Sequence, residues 1–409
     1  MNRILHLVLL SLCGVMGAGA ESGALSLDQA VQEALSNNAS LTALTHTRGA
    51  LAERPAQVSG LPNPMFTYRG MDAPDGGSFP NTAEKRFEIE QSLPGFGKRG
   101  LREAVARNEA ETMGAEADAM AREVVLMVKE TGFELQAVQK ALGITRDEAG
   151  ILSRMAKAAE ARYAVGEAVQ ADVIKAQTEL TMLKQKRLEL EGREKALTSR
   201  LAFLMNRSPD RPVGRIAAFV PDDAVPDPVS RVKVALANRA EIKAAQLKVD
   251  RSELQRRLMS RESQPDYKVG LEYRAIEHGN DMVMFMAGVD LPLWQGKNRA
   301  AIREAAMMAA ASEAEREGVE RQVAQAVQQA CYKVETAKRT LGLYRNELIP
   351  QAAVRFKSSE AGYRVGKVDF SDWLESERFA LDARIMAVMA EGELGASWAA
   401  LERAMGGSL

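Results

Sequence analysis

The chain has 409 residues, 54 basic against 55 acidic, with 46% hydrophobic, 27% charged and only 5% aromatic residues. Balanced charge without a concentrated basic stripe argues against nucleic-acid binding, and two cysteines, Cys13 and Cys331, are too few for a disulfide framework. Abundant Ala, Glu, Leu, Arg and Met point instead to long helices and coiled coil.

Residues 1–20 read as an export signal: Arg3, an apolar run from Ile4 to Val15, then Ala18-Gly19-Ala20 as a small-residue cleavage site. The run is shorter than the roughly 20 apolar residues a spanning helix needs, and no later stretch is long and apolar enough. Export without a transmembrane helix is therefore expected. Leu12 stands where a lipid-attachment box before Cys13 wants a small residue, which argues against lipidation. Removing this segment leaves 53 basic against 55 acidic residues, since it contains the single charged residue Arg3. The remaining cysteine, Cys331, is expected as a buried apolar residue in a helix.

Ser26, with Gln29 three positions on, predicts a capping box and a helix to about Ser59, where Leu61-Pro62-Asn63-Pro64 stops it. Residues 65–71 and 85–93 alternate in polarity and flank a loop rich in Gly, Pro and Asp, from Asp72 to Glu84. A helical region is expected from about Gly97 to Leu142, a turn near Gly143 to Asp147, and a second helical region to about Asn206. In that second region Val173, Ala176, Leu180, Leu183, Leu190, Leu197, Leu201 and Leu204 keep four-three spacing, interrupted only by Arg187 and Glu194. This is a coiled-coil seam. Residues 206–227, with Pro209, Pro212, Pro221 and Pro226, read as a linker. Asp227-Pro228 restarts the pattern as an N-cap and first-turn proline. A helix to about Glu262, strands near 267–275 and 281–291, and helices near 296–345 and 348–405 follow, ahead of a tail at 406–409. About 60 residues of helix reach roughly 90 Å, more than a compact domain needs.

The pattern occurs twice. Val31-Gln32-Glu33-Ala34-Leu35-Ser36-Asn37 returns as Val232-Lys233-Val234-Ala235-Leu236-Ala237-Asn238, and Leu93-Pro94-Gly95-Phe96 as Leu291-Pro292-Leu293-Trp294. Arg162-Tyr163-Ala164-Val165-Gly166 with Asp172 returns as Gly362-Tyr363-Arg364-Val365-Gly366 with Asp372. Offsets of 201, 198 and 200 in the same order mark a duplicated half-molecule, 21–205 and 228–405.

Each expected strand has two faces. Phe66, Tyr68, Phe87, Ile89, Leu93, Tyr267, Val269, Leu271, Tyr273, Val283, Phe285 and Val289 fall on one side. Arg69, Arg86, Glu88, Glu90, Lys268, Glu272, Arg274, Met282, Met284, Met286 and Asp290 fall on the other, the candidate lumen side of a membrane barrel. Phe96 and Trp294 fit an interfacial aromatic girdle. Alternation alone fits a soluble sheet packed on helices equally well. Four strands cannot close a membrane barrel, for which roughly eight is the minimum, and an open edge in lipid leaves backbone groups unpaired. A membrane sheet here requires several chains. The Met282-Met284-Met286 ladder suits Cu(I) by its soft thioethers, although wall filling is the simpler role.

The export signal, twofold repeat, Leu-Pro strand ends and paired Tyr-x-Val-Gly segments with Asp172 and Asp372 together resemble the TolC family of outer-membrane efflux factors, and more closely its heavy-metal and cation branch. The first segment departs from the family pattern, with Gln170-Ala171-Asp172 in place of an apolar-Thr-Asp triplet. The resemblance covers about 26–405. It implies a mainly α fold with a small β part. In it, a homotrimer gives four strands per chain to an outer-membrane β-barrel that continues into a periplasmic α-helical coiled-coil barrel. It implies a passive exit duct of a tripartite system, working with a periplasmic adaptor and an inner-membrane pump, of resistance-nodulation-division type, and meeting outer-membrane lipid.

The resemblance places a constriction at the helix turns after Leu142 and near Glu347–Pro350. The matching positions are Tyr163, Gly166, Glu167, Asp172, Tyr363, Gly366, Lys367, Asp372 and Glu375. Asp372 and Glu375 would set six carboxylates around one opening, and Glu167 and Lys367, equivalent and opposite in charge, are expected to pair across helix hairpins. Lys367 stands next to the position where family members carry a basic or polar residue, here Val368, so the gating pair of the family is not copied residue for residue.

The sequence contains no catalytic constellation, phosphate loop, metal motif or cofactor signature. The competing class is a soluble periplasmic coiled-coil scaffold or adaptor. An adaptor would carry one helical hairpin between β-rich domains, whereas the hairpin unit here occurs twice.

Overall fold

The computed structural model describes residues 25–71, 82–208, 213–217 and 227–407. The expected export signal with Cys13, most of the Asp72–Glu84 loop, the four linker prolines and residues 408–409 lie outside them.

Ser26 closes the expected capping box, accepting from the Gln29 N–H at 3.1 Å while its own N–H donates to Gln29 Oε1 at 3.2 Å. The helix it opens, α1 (Leu27–Asn37), stops early. Asn38 ends it and caps α2 (Ala39–Ala52), accepting from the N–H groups of Ser40 and Leu41. Pro55 sits in the first turn of a third piece, α3 (Arg54–Ser59). The short polar side chain of Asn38 competes for local N–H groups at the first break and Pro55 interrupts the ladder at the second, so the one expected helix is three.

The remaining elements are β1 (Met65–Met71), β2 (Glu84–Leu93), α4 (Lys98–Ala164), α5 (Gln170–Leu204), α6 (Pro228–Asn238) and α7 (Ala240–Glu262). After them come β3 (Asp266–Ile276), β4 (Met282–Asp290), α8 (Gln295–Leu343), α9 (Ile349–Arg364) and α10 (Phe370–Ala404). Helix α4 has 67 residues, about 100 Å at 1.5 Å per residue.

Two expected turns are corrected. α4 runs straight through Gly143–Asp147. Thr145 and Glu148 are buried there, and packing outweighs the roughly 1 kcal/mol that a mid-helix glycine costs. At Glu347–Pro350 the chain does not turn either. Pro350 cannot donate to the carbonyl four residues back, and the ladder absorbs the defect as a one-turn π-segment, Tyr344–Leu348, before continuing as α9. The reversals come later, at Val165–Val169 and Val365–Asp369.

The duplication is visible in the hydrogen bonds. Asn38 Nδ2 donates to the Leu204 carbonyl at 3.2 Å, and at the equivalent place Arg239 Nη1 donates to the Ala404 carbonyl at 3.4 Å. Each repeat then ends in a left-handed residue, Asn206 (φ 53°) and Gly406 (φ 75°). The segment after the first repeat is pinned to α4, Ala217 by Gln136 at 2.5 Å and Ile216 by Gln139 at 3.2 Å.

Ala176, Leu183, Leu190, Leu197, Leu201 and Leu204 of the expected seam are buried, with Val173 and Leu180 packed beside them. Arg187 turns outward to Glu191 at 3.0 Å. One apolar core joins α1, α4, α5 and α10, and a second joins α6, α8 and α10, with Cys331 buried in it.

The four strands form one antiparallel sheet in the order β1-β2-β3-β4. Among the described residues no helix lies across it, and Phe66, Ile89, Val269, Val283, Phe285 and Val289 are exposed. No described helix is long and apolar enough to cross a membrane.

Candidate functional site

The candidate site residues fall in two places: the two faces of the sheet, and the paired helical turns at the far end of the long helices.

Cross-strand register sorts the sheet cleanly. Phe66, Ile89, Leu271 and Phe285 form one row, and Tyr68, Phe87, Tyr273 and Val283 the next, all on the apolar face. On the other face Arg69, Arg86, Arg274 and Met282 align, as do Glu88, Glu272 and Met284, then Glu90, Gly270 and Met286. The rows of like charge are interleaved by diagonal pairs. Arg69 meets Glu88 at 2.9 Å, Glu84 binds both Arg86 (2.6 Å) and Arg274 (2.8 Å), and Arg274 reaches Glu272 at 3.3 Å. Lys268 lies 3.8 Å from Glu90 and 3.5 Å from Asp290. Charge crowds the central strands β2 and β3, whereas β4 and the ends of β1 carry Met282, Met284, Met286, Met65 and Met71 on that face. Phe96 and Trp294, just past the strand ends, are among the most exposed large side chains.

The strands are anchored to the helices by Lys98, fully buried at the start of α4. Its Nζ bonds the Gln264 carbonyl and Asp266, both at 2.8 Å, and Asp266 also accepts from the Gly95 N–H at 2.6 Å. A Cβ at Gly95 would stand 2.5 Å from the Pro265 carbonyl, so only glycine allows this approach.

At the opposite end, each Tyr-x-Val-Gly segment makes the same turn. Gly166 (φ 79°) and Gly366 (φ 72°) take the left-handed conformation that ends a helix. The Glu167 N–H donates to the Arg162 carbonyl at 2.8 Å, and the Lys367 N–H to the Gly362 carbonyl, also at 2.8 Å. The side chains then diverge. Tyr363 is buried, its ring stacked on Trp373 at 4.8 Å and edge-on to Phe370 at 5.7 Å. Burial pushes the Tyr363 phenol up. Tyr163, its equivalent, is half exposed, because Gln170 and Val173 stand where the second repeat has Phe370 and Trp373.

Arg162 joins the two turns. Its Nη1 donates to the Tyr363 carbonyl at 2.6 Å, its guanidinium lies 4.9 Å from the Tyr363 ring centre, and its Nε is 3.4 Å from Glu167. The expected pair of Glu167 with Lys367 is not formed within the chain, and exposed Lys367 has no ion-pair partner among the described residues. Asp172 pairs with Lys175 at 3.5 Å, and Lys175 reaches Ser371 at 2.7 Å. Glu375 is neutralised by Arg355 at 3.2 Å, so of the two expected ring acids Asp372 alone lacks an ion-pair partner among the described residues.

Sequence reasoning missed Arg162, Phe370 and Trp373 as tip residues. Two aromatics flanking Asp372 were the available signal. Three further residues it missed, Glu148, Glu377 and Arg384, lie above the tip.

The family described as "Outer membrane efflux protein" matches residues 30–207 and 232–407. The cobalt-zinc-cadmium resistance protein CzcC of Cupriavidus metallidurans is 24% identical, over 94% of this chain and 91% of that protein. Two solved channels share the fold. The outer-membrane channel OprN has a TM-score of 0.80 at 19% identity, covering 93% of this chain and 90% of its own. CusC, described with conformational changes that accompany folding and transmembrane channel formation, has 0.80 at 15% identity, covering 93% and 92%.

Proposed function

Because the chain belongs to the outer membrane efflux protein family, we propose that three copies close one conduit, the exit duct of a tripartite efflux system. The observation that carries this reading is the sheet, with two open edges and an apolar face that no described helix covers. In hydrocarbon an unpaired backbone group costs several kcal/mol, so β4 of one copy pairs with β1 of the next. Three copies of four strands give a twelve-stranded wall with lipid outside and the charged face lining water.

The internal repeat supports one register for that seam. β2 maps to β4 by 198 positions, and the registers of β1 with β2 and of β3 with β4 then map β1 to β3 by 203, so the observed pair of Glu88 with Glu272 becomes Met286 opposite Arg69 of the next chain. The pair of Arg86 with Arg274 becomes Met284 opposite Met71. Thioethers at the seam let chains join without opposing charges in the lumen. Met71→Cys together with Met284→Cys is expected to cross-link a heat-resistant, detergent-extracted outer-membrane trimer into a covalent ladder. Monomeric protein in surfactant-free buffer overturns the reading.

The long helices carry the duct into the periplasm, and the paired turns at Val165–Val169 and Val365–Asp369 form its closed end, toward adaptor and pump. Arg162, Tyr363, Phe370 and Trp373 hold one hairpin on the other, while Tyr163, Asp172, Glu167, Lys367, Asp372 and Glu375 border the opening. A conduit of this kind carries out no catalysis, and the energy comes from the pump, of resistance-nodulation-division type in this reading. Likeness to CzcC along most of both chains supports metal cations as cargo. Deleting the gene is then expected to sensitise cells to cobalt, zinc or cadmium, and a deletion that sensitises only to organic drugs overturns the cargo assignment.

A further inference from the structure

Two carboxylates that the tip does not use lie side by side in the helical wall above it. Glu148 of α4 is 0% exposed and Glu377 of α10 1% exposed, and their carboxyl groups meet. Arg384 is the one cation within reach of both among the described residues, 2.6 Å from Glu148 Oε2 and 3.2 Å from Glu377 Oε1. Glu148 Oε1 is shielded from solvent and has no hydrogen-bond donor among the described residues.

One guanidinium neutralises one carboxylate, and a second bare anion in the same dry contact is strongly disfavoured. A proton on Glu377 removes the surplus charge and makes its carboxyl the donor that Glu148 Oε1 lacks. The other charges around Glu377 agree. Glu360 of α9 adds repulsion while holding Arg364 at 2.9 Å. From α5, Glu179 and Lys186 are engaged elsewhere, with Arg378 at 3.2 Å and Asp382 at 2.7 Å. Burial, followed by the contact with Glu148, pushes the Glu377 carboxyl up to about 9.

The pair also sits in a telling place. α4 belongs to the first hairpin and α10 to the second, and the Arg162–Tyr363 and Lys175–Ser371 contacts bridge the same two hairpins. We propose that Glu148, Glu377 and Arg384 form a proton-binding site, in which one proton per chain latches the first hairpin to the second and is released when they part. The site rests on the duct reading only for its gating readout.

The direction follows from linkage. When the hairpins part, Glu377 is solvated and returns toward the ordinary glutamate value of about 4.3. Between there and about 9 the joined state holds the extra proton. Raising pH through that window therefore favours parting and lowering it favours closure, by up to about tenfold per pH unit per chain.

The test is an infrared titration of the purified wild-type channel and its Glu377→Gln variant, beside open probability in planar bilayers from pH 6 to 9. Glutamine stays neutral and still donates to Glu148, so folding is preserved. A protonated-carboxyl band at pH 7, absent from Glu377→Gln, and openings that rise with pH in wild type but are flattened in the variant support the latch. Asp172, Asp372 and Glu375 are present in both proteins and cancel. Absence of that band, or a Glu377→Gln channel that keeps the wild-type pH profile, overturns it. Failure to form any channel faults the duct reading instead, and the infrared titration still decides the proton.

Discussion

The two helical tips share a backbone and differ in almost everything else. Both reverse through a left-handed glycine, Gly166 and Gly366, with the same pair of turn hydrogen bonds. At the second tip Phe370 and Trp373 bury Tyr363, so its hairpin ends in a small aromatic core. At the first, Gln170 and Val173 leave Tyr163 half exposed, and Arg162 reaches across to the other hairpin. After duplication, glycine preserved the fold of the turn while a few side chains decided whether it packs or grips. The second tip is held from within and the first holds by contact, so damage to each should read out differently.

The largest effect is expected at Trp373. Trp373→Ala empties the aromatic core, and truncations of this kind cost about 3–5 kcal/mol. The equivalent change in the first repeat, Val173→Ala, removes two methyls from a half-buried seam, about 1.5 kcal/mol. Denaturant unfolding in detergent, with protease cleavage at the exposed tip as a local probe, compares them. Equal losses would show that the aromatic core adds nothing beyond ordinary seam packing.

Arg162 comes next. Arg162→Ala deletes a charge-assisted hydrogen bond to the Tyr363 carbonyl and a cation–π contact, about 2 kcal/mol together. Because those contacts join the hairpins, the loss should appear as a leak through the closed channel more than as unfolding. Arg162→Lys is expected to fall between, since an ammonium cannot serve carbonyl, ring and Glu167 from one planar group. A leak in Arg162→Lys equal to that in Arg162→Ala would reduce the contact to its geometry alone.

What the sequence revealed follows the range of the interactions involved. Strand faces, capping box, coiled-coil seam and duplication are short-period or self-similar patterns, and the sheet and helices carry them at the expected residues. The tip was misplaced at Leu142 and Pro350 because glycine and proline are local signals. Burial of Thr145 and Glu148 holds α4 straight, and a π-turn absorbs Pro350. The left-handed glycines that do turn the chain belong to the repeated Tyr-x-Val-Gly motif, which marks the constriction in the sequence without showing that the chain reverses there. Arg162 and Glu148 were invisible for a different reason, because each acts on a residue more than 200 positions away. No pattern within one helix reports such a partner.

The smallest expected effect tests whether opposite charge at equivalent positions means anything. Glu167 and Lys367 follow their glycines directly, both exposed, and within one chain Glu167 leans toward Arg162 while Lys367 stands apart. Exposed pairs are worth little and are screened by salt, so either single reversal, Glu167→Lys or Lys367→Glu, should raise leak conductance less than Arg162→Ala does. If the two charges meet across neighbouring chains, the double reversal restores the closed state at low salt, and the rescue fades at high salt. Glu167→Lys also places a cation beside Arg162, an insult that Lys367→Glu cannot repair from a distance. A double variant as leaky as Glu167→Lys therefore assigns Glu167 to Arg162 and leaves Lys367 without a part in closure.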